Sequence, residues 1–154
     1  MGRGNLQPSL KGRALRLLSQ REHSRKELER KLARYEPETE ALGAVLDELQ
    51  DKGFICEERV LQSVLHRRSD KFGAARLRQE LMEKGLPKER VEQAMSELHG
   101  SEQARASEVW RKKYGKRPET AQERARQARF MIARGFSAEV VRRALEQATG
   151  EESA

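Results

Sequence analysis

Two stretches of the sequence place several arginines and lysines next to an aromatic residue. Residues 67–73 read RRSDKFG, and residues 111–117 read RKKYGKR. Guanidinium and ammonium groups bind phosphate oxygens, and an aromatic ring offers a face on which a nucleobase can stack. The spacing therefore predicts a surface for nucleic acid or another anionic partner. No recognition-helix pattern accompanies it, so any contact with DNA should be mainly to the backbone.

The expected binding surface combines the cations of these two runs with cations of the helices that follow them. Its members are Arg67, Arg68, Lys71, Arg76, Arg78, Arg111, Lys112, Lys113, Tyr114, Arg129 and Arg134. For any one of them, a solvated charge or an ion pair inside the protein is the alternative. Trp110 and Phe130 fall on apolar stripes and are expected in the core, whereas Tyr114 could either pack or stack.

The sequence offers no catalytic, cofactor-binding or metal site. There is no glycine-rich phosphate loop ending in Lys-Ser or Lys-Thr. His23, His66 and His99 lack metal-ligand spacing with the single cysteine and are expected at the surface or near helix ends. Cys56 precedes two glutamates, which disfavour a catalytic thiolate. We therefore predict that the protein is not an enzyme and takes no cofactor.

A repeated pattern of apolar residues indicates how these cations are positioned. A quartet with the i, i+3, i+4, i+7 spacing of one helical stripe occurs three times, at nearly constant separation. Its copies are Leu42, Val45, Leu46 and Leu49, then Val91, Ala94, Met95 and Leu98, then Val141, Ala144, Leu145 and Ala148. An upstream pair repeats in step, as Leu28 and Leu32, Leu77 and Leu81, then Gln127 and Met131. Such a period predicts one supersecondary unit stacked three times.

The predicted fold is all-α, an elongated, curved array of three tandem three-helix repeats. The repeats span 10–53, 54–100 and 101–149, between a disordered N-terminus (1–9) and a flexible tail (150–154). Nine helices are predicted, at 10–20, 24–35, 38–52, 56–68, 73–84, 87–99, 101–114, 120–134 and 137–148. Helix boundaries are predicted from capping boxes at Ser24 and Thr120, an N-cap at Ser137, and stops at Gly53, Gly85 and Gly135.

Composition adds a charge pattern to this architecture. The chain has 154 residues, of which 37% are charged, and a formal net charge of +7, which favours an anionic partner. The first two helices of each predicted repeat are basic and the third is neutral or acidic, so stacking would align a basic ridge. Charge runs are usually solvated faces, but recurrence in all three repeats favours function. One cysteine and no long apolar run predict a cytoplasmic protein that does not enter a membrane. We also expect a monomer.

At these segments the sequence resembles the RecX family, bacterial regulators of the RecA recombinase. The resemblance covers residues 10–148. It is carried by 21–28 (REHSRKEL) with Lys31-Leu32, 71–81 (KFGAARLRQEL) through Lys84-Gly85, 112–115 (KKYG) and 129–136 (RFMIARGF). Phe72-Gly73 stands where the family usually has Tyr-Gly, and 57–61 (EERVL) where it usually has paired aspartates followed by Arg-Phe-Ala.

The resemblance implies a protein that lies in the helical groove of the RecA–single-stranded DNA filament. There it would inhibit recombinase, ATP-hydrolysing and co-protease activities by blocking filament extension or displacing subunits. The alternative is a general DNA-binding protein that acts on nucleic acid directly through its basic surface. The two differ in salt dependence, since a protein neutralising six or more phosphates loses roughly 10³-fold in affinity between 50 and 200 mM salt.

Overall fold

The structure, a computed structural model, describes the backbone of residues 8–35 and 39–152 and the side chains of residues 8–35 and 41–148. Eight α-helices account for most of the described chain, and the described residues contain no strand. The helices are α1 (Leu10–Gln20), α2 (Arg25–Leu32), α3 (Thr39–Asp51), α4 (Glu57–Arg68), α5 (Ala74–Glu83), α6 (Lys88–Lys113), α7 (Ala121–Ala133) and α8 (Ala138–Glu152). The all-α prediction is confirmed. The predictions for residues 1–7 and 153–154 lie outside the described residues.

Helix α6 corrects the predicted element count, because two predicted helices form one. The sequence predicts one helix that ends at residue 99 and another that begins at 101, but α6 runs unbroken from Lys88 to Lys113. Gly100 keeps helical geometry and does not adopt positive φ. An exposed glycine inside a helix costs only about 1 kcal/mol relative to alanine. With buried residues on both sides of it, this cost is too small to end the helix.

The described residues group into two compact units. The first contains the described residues as far as Ser63, together with Lys84–Leu86. In it α1, α2 and α3 pack against one another. The core of this unit consists of Ala14, Leu28, Leu32, Leu42, Leu46, Leu49 and Ile55. The first copy of the apolar quartet and the upstream pair thus supply most of this core, as their helical spacing predicts.

The second unit contains Val64–Glu83 and the described residues from Pro87 onward. Helix α6 contacts α5, α7 and α8, and α7 also packs on α8. One core cluster consists of Ala106, Val109, Trp110, Met131, Phe136, Val141, Leu145 and Ala148. Trp110 is buried as predicted, and its indole Nε1–H donates to Gln127 Oε1 at 2.7 Å. No helix among the described residues is long and apolar enough to cross a membrane.

Local signals end and begin the helices where the sequence predicts. Ser24 Oγ accepts from the Glu27 N–H while Glu27 accepts from the Ser24 N–H, which completes the capping box. Gly53, Gly85 and Gly135 all have positive φ, the backbone conformation that glycine reaches without a Cβ clash. These positions follow α3, α5 and α7, so three helices stop at the predicted residues.

The carboxylate of Glu27 is buried at the start of α2, where hydrogen-bond donors surround it. It accepts hydrogen bonds from Arg21 at 2.7 Å, from Lys84 at 3.0 Å and from the Ser24 N–H at 3.1 Å. Burial by itself raises the pKa of Glu27, but these donors outweigh it and hold the pKa at about 2, below the ordinary 4.5. The ionised carboxylate is therefore part of the folded state of the first unit.

We expect Glu27→Gln to lower the free energy of unfolding by about 3 kcal/mol at neutral pH, because Arg21 and Lys84 lose their carboxylate. The folded-state pKa is depressed, so this stabilisation is complete above the unfolded-state pKa near 4.5 and is lost as pH falls towards 2. Urea unfolding followed by circular dichroism between pH 2 and 7 measures the difference between the two proteins. A difference that stays constant across this range would contradict the assignment.

Glu48→Gln is the matched control. Glu48 also accepts from two lysines, Lys11 at 2.7 Å and Lys52 at 2.8 Å, and these hydrogen bonds lower its pKa to about 2. Its side chain is exposed to solvent, which screens such pairs. The control should therefore change stability far less than Glu27→Gln.

Candidate functional site

The predicted basic surface in the second unit is organised by a contact between two glycines. The first turn of α5 lies against the end of α7: the Gly73 N–H donates to the Arg134 carbonyl at 2.8 Å, and the Ala75 N–H donates to the Gly135 carbonyl at 3.2 Å. A Cβ on Gly73 would lie 2.4 Å from the carbonyl carbon and oxygen of Gly135. Only glycine allows this approach, so two separated sequence motifs, 71–81 and 129–136, meet at one point.

Two side chains of helix α6 also hold the turn before α5. Glu102 is buried, and its Oε1 accepts from the Ala74 N–H at 3.1 Å, which satisfies a first-turn donor of α5. Arg105 Nη1 donates to the carbonyls of Ser69 and Phe72 at 2.6 and 2.9 Å. Burial lowers the pKa of Arg105, and the charge of Glu102 opposes that shift. These contacts hold the backbone on both sides of Phe72.

Three arginines surround the Phe72 ring. The guanidinium carbons of Arg68, Arg76 and Arg134 lie 4.4, 4.5 and 5.1 Å from the ring centre. Arg68 also pairs with Glu80 at 2.6 Å, and Arg76 donates to the Ala133 carbonyl at 3.2 Å. Cation–π contacts at exposed positions are worth about 0.5–1 kcal/mol each. The arginines are thus oriented by the ring and gathered in one place.

Arg134 links this group to a second ring, that of Phe130. Its guanidinium lies 4.9 Å from the Phe130 centre, and Lys113 Nζ lies 5.2 Å from the same centre. Tyr114 meets Phe130 edge to face, with the ring centres 5.6 Å apart. Phe130 is only half-buried at the edge of the core cluster, where the sequence analysis expected a core residue. We call the whole group the cation–aromatic strip: Arg68, Phe72, Arg76, Arg134, Phe130, Lys113 and Tyr114.

The cation–aromatic strip carries a net positive charge, and its cations lie against aromatic rings or at the C-terminal ends of helices. Lys113 and Tyr114 lie at the C-terminal end of α6, and Arg134 caps α7. Cations are favoured at helix C-termini, where the backbone carbonyls carry partial negative charge. Arg76, Lys113 and Arg134 form no ion pair with a carboxylate of the described residues. Their charges are therefore available to an anionic partner.

The other predicted site residues lie outside the strip. Arg78 pairs with Glu92 at 2.8 Å, and Arg111 pairs with Glu108 at 2.5 Å, with Lys112 4.0 Å from the same carboxylate. These pairs lie on the protein surface. Arg67, Lys71 and Arg129 are exposed. Lys71 and Arg129 have no carboxylate within ion-pair distance in the part of the chain that the structure describes.

Four residues that build this surface are absent from the predicted set of contact residues: Phe72, Phe130, Glu102 and Arg105. Phe72 belongs to the basic run 67–73, and Phe130 was expected in the core. Arg68, Phe72 and Arg76 follow one another at intervals of four residues, as do Phe130 and Arg134. That spacing was a usable signal for the two rings. Nothing local marked Glu102 and Arg105, because their partners lie about thirty residues away in the sequence.

The histidines and the cysteine do not form a further site. His66 and His99 are exposed, whereas His23 is buried, with Nδ1 3.0 Å from the Arg21 carbonyl and Nε2 3.0 Å from Lys31 Nζ. Burial lowers the pKa of His23, so it stays neutral at pH 7 and accepts from Lys31. Within the described residues, no group of three His, Cys, Asp or Glu side chains could hold a metal ion.

The fold and the cation–aromatic strip define a class of protein: an all-helical repeat protein with a basic surface that contains aromatic rings. Comparison with known proteins identifies the family. Models of the first, second and third three-helix domains of RecX match residues 11–54, 57–95 and 101–145. The chain therefore belongs to the RecX family and consists of three tandem three-helix domains.

Relatives in this family are similar in sequence to this protein over most of its length. It is 50% identical to the regulatory protein RecX of Leptothrix cholodnii, over 94% of this chain and 92% of the relative. It is 45% identical to the regulatory protein RecX of Ralstonia nicotianae, over 91% of this chain and 88% of the relative. The crystal structure of RecX from Lactobacillus salivarius shares the fold with a TM-score of 0.71 and 18% identity, covering 91% of this chain and 94% of that one. A second crystal structure, of a regulatory protein RecX, has a TM-score of 0.74 at 20% identity, over 89% and 71% of the two chains.

Proposed function

We propose that the protein inhibits the RecA recombinase by binding in the groove of the RecA–single-stranded DNA filament. The observation that carries this proposal is the cation–aromatic strip in a chain of the RecX family. The strip gathers cations that have no carboxylate partner among the described residues and fixes them against rings. A filament groove presents DNA phosphates beside protein, and a preorganised cationic surface suits such a partner.

Inhibition follows from where the protein binds. A molecule that occupies the groove blocks the path of a second DNA strand and the addition of further RecA subunits. It needs no catalytic group for this, only affinity for the assembled filament. The protein acts here as a monomer in the cytoplasm, and contacts with filament DNA pass mainly through backbone phosphates.

The test is RecA-catalysed strand exchange and single-stranded-DNA-dependent ATP hydrolysis with increasing amounts of the purified protein. We expect both activities to fall at amounts stoichiometric with RecA or below. Unchanged strand exchange and ATP hydrolysis at stoichiometric amounts would contradict the proposal.

Salt separates this function from direct action on nucleic acid. The exposed cations Lys71 and Arg129 favour some binding to naked DNA, which should weaken roughly 10³-fold between 50 and 200 mM salt if six or more phosphates are neutralised. Filament binding that includes RecA contacts should survive this change. If filament and naked DNA lose affinity in parallel, the protein is a general DNA-binding protein instead.

A further inference from the structure

A cavity lies between α1 and α2 in the first unit, apart from every residue that the sequence analysis assigned to a site. Its volume is about 560 Å³, within the range of small-molecule sites. We call it the α1–α2 pocket. Its lining includes Arg13, Arg16, Arg30, Lys31, Arg34 and Tyr35.

The lining carries five cations and, among the described residues, no carboxylate. The described carboxylates that form ion pairs in this unit bind cations elsewhere. Glu27 binds Arg21 and Lys84, Glu48 binds Lys11 and Lys52, and three more bind Arg25 or Arg59. Five positive charges around one cavity repel each other and lower stability. Such a cost is expected where the charges serve to bind an anion.

Aromatic and apolar side chains complete the pocket. Tyr35 is 40% exposed, and the guanidinium carbons of Arg13 and Arg34 lie 3.8 and 4.5 Å from the centre of its ring. Arg34 also donates to the Tyr35 hydroxyl oxygen. Leu17 and Leu32 provide apolar surface. The pocket therefore combines five cations with flat ring and guanidinium faces and with apolar surface.

We propose that the α1–α2 pocket binds a nucleotide, with the arginines on the phosphate and the base against Tyr35 and the guanidinium planes. Arginine binds phosphate through paired N–H donors, and bases stack on aromatic rings and on guanidinium groups. The nucleotide comes either from a single strand of nucleic acid or from the free pool, and the chemistry is the same. An acidic peptide would use the cations but would place no flat group against the Tyr35 ring, the guanidinium planes and the leucines.

The test uses the full chain without RecA, so its failure would leave the proposed function standing. A thymidine oligomer carrying 5-iodouracil is irradiated with the protein, and the crosslinked peptide is identified by mass spectrometry. We expect a crosslink at Tyr35. Arg16→Ala with Arg34→Ala should lower its yield at least tenfold at a fixed oligomer concentration, because two phosphate-binding side chains are lost. Both side chains are exposed, so the core is unaffected.

Lys11→Ala with Lys52→Ala is the matched control, since it removes two charges of the same unit outside the pocket. Its crosslink yield should stay within twofold of the original protein. Competitors then identify the source. Displacement by ATP indicates a free nucleotide, and displacement by an unlabelled oligomer alone indicates a strand; either result supports the site. The proposal would be overturned if no crosslink formed at Tyr35, or if the control variant lost as much crosslink yield as the pocket variant. It would also be overturned if polyglutamate or pyrophosphate of matched charge displaced the labelled oligomer equally well.

Discussion

Replacing Gly73 by alanine should destabilise the second unit by about 3 kcal/mol and disorder the cation–aromatic strip as well. The new Cβ would lie 2.4 Å from the Gly135 carbonyl group and 2.5 Å from the Phe136 nitrogen, all of them backbone atoms. Backbone cannot rotate away as a side chain can, so α5 must move off the end of α7. That movement breaks two hydrogen bonds, those donated by the Gly73 and Ala75 N–H groups.

Urea unfolding measured by circular dichroism gives the stability change, and an assay of the proposed RecA inhibition gives the functional one. Gly100→Ala is the matched control in the same unit. A Cβ there meets nothing within 4 Å, and the residue lies inside α6. Alanine at that position should stabilise the protein by roughly 0.5–1 kcal/mol. If Gly73→Ala proves as stable as the original chain, the glycine contact does not organise the surface.

The second large effect is expected from reversing the two arginines that touch the strip's rings without forming an ion pair in the described chain. If the protein inhibits RecA as proposed, Arg76→Glu with Arg134→Glu should weaken that inhibition by about 2–4 kcal/mol, or roughly 30- to 1000-fold. The reason is that each reversal turns an attraction for the anionic partner into repulsion. The measurement is the protein concentration that halves single-stranded-DNA-dependent ATP hydrolysis by RecA.

Arg142→Glu with Arg143→Glu makes the same change in net charge on α8. Both arginines are exposed and form i, i+4 pairs with Glu146 and Glu139. This control should inhibit RecA within about twofold of the original protein, since pairs of this kind are worth only a few tenths of a kcal/mol. An equal loss in both double variants would show that net charge, and not the cation–aromatic strip, determines binding.

Much of the fold could be predicted from the local pattern of residues in the sequence. The apolar quartets at Leu46 and Leu145 fall on buried stripes because a helix returns the same face to its neighbour every three to four residues. The stop at Gly85 follows from a backbone conformation that disfavours other residues. The error at Gly100 has the same physical basis: glycine permits a break without enforcing one, and packing on both sides decided the outcome.

The residues of the candidate site could be predicted only in part from the sequence. Of the predicted residues, Arg68, Arg76, Lys113, Tyr114 and Arg134 meet around the two rings, whereas Arg78 and Arg111 are held by neighbouring carboxylates. Every arginine looks alike in a sequence. Whether its charge faces a glutamate, a ring or solvent depends on residues brought close by packing. The α1–α2 pocket was missed for this reason.

Apart from the break predicted at Gly100, the sequence by itself determined the helices, where they start and stop, and the threefold apolar period, because each depends on residues within a turn or two of one another. Only the tertiary structure decided which cations form a surface. That choice rests on the approach of Gly73 to Gly135 and on Glu102 and Arg105, which hold the turn between α4 and α5. These partners are distant along the chain, and no local periodicity records a contact between them.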